Sequence, residues 1–264
     1  MNGRVLIIAG SDSGGGAGVQ ADLKTVMALG GYATTAITAI TAQNTLGVFG
    51  VHAIPAEMVL AQGRVVLADI GTDAVKTGML AAVDIIEAAA VLIDEAGAPA
   101  VIDPVMVATS GARLIEADAV SALKSLLIGR AALLTPNAPE AAALTGFDVV
   151  TTDDLRRAGE ALLTLGAQAV LMKGGHIAGE TLTDVLMTPA GETTFSGPRI
   201  DTRNTHGTGC TLASACAAGL AQGLPLEDAV ARAWAYVAEA IRNAPGLGAG
   251  AGPLGHGWML LDRT

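Results

Sequence analysis

Six short runs of apolar and β-branched residues recur along the chain, and each is followed by a stretch of helical length. They cover residues 5–9, 33–41, 74–77, 100–103, 132–135 and 169–173. A strand wetted on one face alternates apolar and polar side chains. Runs this continuously hydrophobic must be covered on both faces, which a parallel sheet between two helical layers provides. The intervening helices are expected over 18–29, 56–68, 82–95, 116–127, 139–144, 153–165, 208–221 and 226–242. Residues 183–187 and 192–195 flank Thr188-Pro189-Ala190-Gly191, a turn signal, and read as an antiparallel hairpin. Alternating β and α units predict an α/β, doubly wound, mostly parallel sheet. No linker, fixed-period repeat or charge block interrupts it, so residues 1–264 read as one domain, with an irregular Gly-rich tail over 245–257.

Composition narrows the function classes. The chain carries 15 Lys and Arg against 25 Asp and Glu, a net charge of −10, and 51% of it is hydrophobic. Disordered chains combine low hydrophobicity with high charge, the reverse of this balance. A nucleic-acid binder needs cations to displace counterions and aromatics for stacking; only 3% of this chain is aromatic. The uncharged stretch 25–56 holds Gln43, Asn44 and repeated Thr, too polar to span a bilayer, and residues 5–9 are too short for a signal sequence. Cys210 and Cys216 fall on one expected helix, about 9 Å apart along its axis. That exceeds the Cα reach of a disulfide, about 7 Å, so the thiols point to a reducing, cytoplasmic setting.

Ligands of doubly wound sheets gather at the carboxyl ends of the strands, and a polar or Gly-rich cluster follows each expected strand. Gly16-Ala17-Gly18-Val19-Gln20-Ala21 fits the dinucleotide fingerprint. The ribose-binding acid expected about 20 residues on is missing, since no Asp or Glu lies between Asp22 and Glu57. A Walker A loop, the protein-kinase motifs, H-E-x-x-H, C-x-x-C and G-x-S-x-G are all absent.

Two clusters carry sharper chemistry. In Asn204-Thr205-His206-Gly207-Thr208-Gly209-Cys210-Thr211, small residues let backbone N–H groups converge at a helix start, an anion hole for phosphate. Cys210 in the first turn would feel the helix dipole, which favours a thiolate able to take a hydroxyl proton during phosphoryl transfer; the same pattern also suits a small buried cysteine at a tight helix entry. Asn137-Ala138-Pro139-Glu140 is either a capping box or a pair of ligands for a hydrated Mg²⁺.

Eight segments in order resemble the hydroxymethylpyrimidine/phosphomethylpyrimidine kinases of thiamine biosynthesis, a branch of the ribokinase-like superfamily. They begin with Ile8-Ala9-Gly10-Ser11-Asp12-Ser13-Gly14-Gly15-Gly16-Ala17-Gly18 and Gln20-Ala21-Asp22-Leu23-Lys24-Thr25. Thr41-Ala42-Gln43-Asn44-Thr45, Val75-Lys76-Thr77-Gly78-Met79-Leu80 and Asp103-Pro104-Val105-Met106-Val107 follow. Thr135-Pro136-Asn137 with Glu140, Lys173-Gly174-Gly175-His176, and the 204–211 cluster complete the set. The tail over 246–256 follows the family only loosely.

The resemblance implies a three-layer α/β/α fold, a homodimer, and ATP-dependent phosphorylation of 4-amino-5-hydroxymethyl-2-methylpyrimidine and then of its monophosphate. It implies that Gln43 recognises the pyrimidine, with Asp22, Gly10, Met79 and Val105 at other pocket positions. Cys210 takes the place of the catalytic base, and Gly207 and Gly209 form the anion hole. Lys173, Asp103 and Thr208 lie on the nucleotide side, and Asn137 and Glu140 belong to an element tied to Mg²⁺. The related pyridoxal/pyridoxine kinases are the alternative; a non-catalytic binding protein of the same fold is a third reading.

Overall fold

A computed structural model describes residues 2–106 and 117–261. Its strands are β1 (Arg4–Asp12), β2 (Tyr32–Asn44), β3 (Gly47–Ala53), β4 (Ala74–Thr77), β5 (Ala100–Ile102), β6 (Ala131–Leu134), β7 (Val170–Met172), β8 (Thr181–Thr188) and β9 (Gly191–Pro198). They form one sheet in the order β3-β2-β1-β4-β5-β6-β7-β8-β9. The six strands β2, β1, β4, β5, β6 and β7 run parallel, and β3, β8 and β9 join antiparallel.

The helices are α1 (Gly18–Ala28), α2 (Ala56–Asp69), α3 (Val83–Ala96), α4 (Ala117–Leu126), α5 (Ala138–Thr145), α6 (Thr152–Thr164), α7 (Thr208–Ala221), α8 (Leu226–Arg242) and α9 (Trp258–Leu261). α1, α7 and α8 cover one face of the sheet, and α2 to α6 cover the other. The strand β1 shows why. Leu6 and Ile8 pack into one core and Val5, Ile7 and Ala9 into the other, all with 0% exposure. Burying each Leu or Ile contributes about 1.5–3 kcal/mol, so a strand apolar on both sides holds two helical layers at once.

The chain leaves β1 toward β2 on one side and returns to β4 on the other. This reversal of strand order opens a crevice at the carboxyl edge. The expected strands and helices are present with ends shifted by a few residues; the expected helix start at Glu116 and the motif residue Val107 lie outside the described residues. β3 was not expected. Its sequence is broken by Gly47 and Gly50, and its side chains from Phe49 to Ala53 are exposed. The antiparallel ladder to β2 holds it, so it needs no apolar pattern. Residues 245–257 are largely irregular, yet they are tied down. The amide of Ala251 donates to Thr45 O at 3.0 Å and that of His206 to Gly252 O at 3.1 Å.

Candidate active site

A cavity of about 1140 Å³ runs along the carboxyl edge of the sheet. Gly10, Gln43, Met79, Val105, Gly207, Thr208, Gly209, Cys210, Asp103, Lys173, Asn137 and Glu140 line it, and β8, β9 and α8 supply further wall. Glycine at position 10 makes room for Met79, whose Cε would lie 2.4 Å from a Cβ there.

The loop after β1 is wound around its own anion. Asp12 accepts hydrogen bonds from the amides of Gly14 (2.8 Å), Gly16 (3.0 Å) and Ala17 (2.9 Å). Those donors are thereby spent on Asp12. Burial works against the charge of Asp12, but His206 and the Ala17 and Gly14 amides hold its carboxyl below the usual range. His206 Nε2 lies 2.9 Å from Asp12 Oδ2 and 3.4 Å from the Gln43 carboxamide. It is the carboxamide nitrogen, Nε2, that faces His206. Gln43 Oε1 lies 3.2 Å from Thr41 Oγ1, which also lies 2.8 Å from Ser11 O. Ser13 and Gln43 exchange two further 2.8 Å bonds through the Gln43 backbone.

The anion hole forms where α7 begins. Gly207 has φ +85°, and a Cβ there would lie 1.9 Å from Gly16 O, so the helix start sits directly on the first loop. The amide of Thr211 returns to Gly207 O and that of Thr208 to Thr205 O. Among the described residues, this leaves the amides of Gly209 and Cys210 as the first-turn donors without a backbone acceptor. Lys173 Nζ lies 3.2 Å from the Cβ position of Gly209 and donates to Asp103 Oδ1 at 2.9 Å; Glu140 Oε2 is 3.8 Å away. Burial opposes the charge of Lys173, but Asp103 and Glu140 keep its ammonium more basic than usual. Burial pushes the Glu140 carboxyl up to about 7.

Asn137 and Glu140 make the capping box of α5. The Glu140 amide donates to Asn137 Oδ1 at 2.9 Å, and the Asn137 amide to Glu140 Oε2 at 2.8 Å. The structural and ligand roles therefore compete for the same atoms of Asn137, while both residues still face the cavity.

Two expectations are corrected. Asp22 is not on the cavity wall: it is fully buried behind it, with both carboxylate oxygens 2.8 Å from Lys76 Nζ and Ser214 Oγ donating at 2.7 Å. Cys210 does face the cavity, but its thiol is pushed up to about 11 by burial, against the pull of Lys76 and an N–H bond from Gly18. Desolvation outweighs the helix start, so the resting group is a thiol. Cys210 and Cys216 share α7 and form no disulfide.

Other wall residues had no role in the sequence reading. Trp234, Val237, Ala238 and Ile241 of α8 form a half-buried stripe beside the core stripe Val230, Ala233 and Tyr236. The spacing i, i+3, i+4, i+7 was visible, but such a stripe usually marks core. Gly197 on β9 gives way to the Trp234 ring, 2.8 Å from its Cβ position. Asp184 accepts from the Gly174 amide at 2.8 Å, and burial pushes its carboxyl up to about 6.

A helix-start anion hole, a paired lysine and a thiol on one cavity of a three-layer α/β/α fold mark the ribokinase-like class of kinases. The model of the phosphomethylpyrimidine kinase family matches residues 12–255, and the chain belongs to that family. It is 49% identical over 256 residues to the hydroxymethylpyrimidine/phosphomethylpyrimidine kinase of Streptomyces coelicolor, covering 97% of this chain and 95% of that protein. It is 52% identical over 255 residues to a thiamine biosynthesis bifunctional protein of Geobacter sulfurreducens, covering 96% of this chain but only 52% of that longer protein's length. Among solved structures, an ADP complex of Bacillus subtilis pyridoxal kinase superposes with a TM-score of 0.92 at 38% identity, over 99% of this chain and 100% of that one. A phosphomethylpyrimidine kinase from Clostridium difficile gives 0.80 at 41% identity, over 90% and 99%.

Proposed function

We propose that this protein transfers the terminal phosphoryl group of ATP to the hydroxymethyl group of 4-amino-5-hydroxymethyl-2-methylpyrimidine, and then phosphorylates the monophosphate to the diphosphate. One observation carries the reading: Gln43, the α7 anion hole with Cys210, and Lys173 with Asp103 face a single continuous cavity. The Gln43 carboxamide offers a donor and an acceptor to a ring nitrogen and its exocyclic amine, with Gly10, Met79 and Val105 as apolar wall. Cys210 is placed to take the hydroxyl proton. The Gly209 and Cys210 amides, with Gly207 setting their direction, and Lys173 offset charge on the transferred group. Thr208 and Asp103 flank the phosphates.

Mg²⁺ suits the carboxylate of Glu140 beside the carboxamide of Asn137, because magnesium typically takes only one or two carboxylates beside water and phosphate. Asn137 and Glu140, both on the cavity wall, would hold it, and bound there it would neutralise phosphate charge. The exposed Phe49 and Val51 on the edge strand β3 support a homodimer. No described helix is long and apolar enough to cross a membrane. The cytoplasmic reading rests on two thiols that form no disulfide, and the reading that nucleic acid is not a partner rests on the net charge of −10.

The pyridoxal kinase reading is favoured by the closer superposition alone; the higher identity to the pyrimidine kinases and Gln43 weigh against it. Incubation with ATP, Mg²⁺ and the pyrimidine alcohol should yield both mono- and diphosphate. A kcat/KM at least about tenfold higher for pyridoxine or pyridoxal, about 1.4 kcal/mol, would overturn the assignment.

A further inference from the structure

Behind the cavity wall lies an ion pair that the reaction as described does not use. Lys76 on β4 and Asp22 on α1 are both 0% exposed, and Lys76 Nζ is 2.8 Å from each carboxylate oxygen of Asp22. Ser214, one turn beyond Cys210 on the same face of α7, donates to Asp22 Oδ1 at 2.7 Å. Glycine at position 78 accommodates the ammonium, 3.0 Å from its Cβ position. A fully buried pair is weak support for stability, because desolvating two charges can outweigh their attraction. Its link through Ser214 to α7, one turn from Cys210, gives it another use.

We propose that Lys76 is a positioning residue for phosphoryl transfer, its buried ammonium stabilising negative charge on the Cys210 sulfur, with Asp22 as its counter-ion. This rests on reading Cys210 as the proton acceptor. The groups that act on the sulfur are Lys76 from β4, Asp22 from α1, Asp103 after β5 and the N–H of Gly18 at the start of α1. Lys76 is the strongest charge among them and favours the thiolate; Asp22 and Asp103 oppose it. The thiol first releases its own proton to solvent. During transfer the O–H bond of the alcohol breaks, its proton passes to the thiolate sulfur, and the oxygen pair forms the bond to phosphorus as the bond from phosphorus to the leaving ADP oxygen breaks. Sulfur must carry charge before that moment, and Lys76 is the cation placed to stabilise it.

The test uses the full chain carrying Cys216→Ala, so that a single thiol remains, and iodoacetamide as probe. Asp22→Asn/Lys76→Met removes both charges without leaving either unpaired. Losing the net field should cut the thiolate fraction about tenfold, one pH unit of proton affinity. Higher intrinsic nucleophilicity returns part of this, so alkylation at about pH 8 should slow about threefold. The kcat for the pyrimidine alcohol should fall while its KM stays put, because neither residue touches the cavity. An unchanged alkylation rate in the folded double variant overturns the proposal. Should that variant fail to fold, Asp22→Asn alone decides: with the opposing carboxylate gone and the ammonium in place alkylation should quicken, whereas a static or slower rate refutes the coupling. Slower alkylation with kcat intact would instead sink the role of Cys210 as base while leaving the charge coupling standing.

Discussion

Replacing Cys210 by Ala should separate the two phosphorylations from each other. The first acceptor is a neutral alcohol that must lose a proton; the second is a phosphate monoester already ionised near neutral pH. A positioned base contributes about 10²–10⁴-fold to a step that needs it. The thiol is pushed up to about 11, so its reactive form grows about tenfold per pH unit between about pH 7 and 9. The alcohol step of the parent protein should climb with that slope, and the phosphate step should be nearly flat. In Cys210→Ala the alcohol step should drop at least about 100-fold and lose its slope, while conversion of monophosphate to diphosphate stays within about threefold, well under 1 kcal/mol. The small change at a half-buried helix start leaves the fold intact. Step-resolved kinetics with each acceptor, followed by chromatography of the products, provides the assay. Equal slowing of both steps, or an alcohol step indifferent to pH, would refute the base assignment.

Gly209→Ala should leave the unfolding midpoint unchanged or slightly raised, since Ala is the better helix former by about 0.5–1 kcal/mol at most. The new methyl, 3.2 Å from Lys173 Nζ, should nonetheless cut kcat/KM for ATP about 100-fold. Gly207→Ala should instead lose stability, because φ is +85° and the added carbon meets Gly16 O; urea titration of both variants makes the comparison. Lys173→Ala should raise the KM for ATP far more than the Kd for the pyrimidine, measured by calorimetry, since it removes the cation between Asp103 and Glu140. Burial makes Glu140 hold its proton more tightly in the folded protein, at about 7, than the ordinary 4.5 of a free glutamate. The native state therefore holds the extra proton in that window, and stability contributed by Glu140 is lost as pH rises through it. Thermal midpoints of the ligand-free protein should show this fall, and Glu140→Gln should flatten it.

The chain alone was enough to determine the layered α/β architecture, because residues such as those of β1, apolar on both faces, have few ways to leave water. It also determined most of the cavity wall. Gly10, Lys173 and the 204–211 cluster follow strands or open a helix, and in a doubly wound sheet those positions converge whatever else the chain does. What lay beyond its reach depends on contacts between distant segments. The partner of Asp22 is Lys76, and that of His206 is Asp12, 194 residues away; neither pairing has a local signature. The acidity of Cys210 likewise went the other way, because a helix start is visible in sequence and the depth at which the sulfur is buried is not. The second stripe of α8 and the edge strand β3 show the same limit. Whether an apolar stripe meets core or cavity, and whether a glycine-broken segment finds a ladder, is decided only when the neighbouring element arrives, since burial and pairing are properties of the assembled layers.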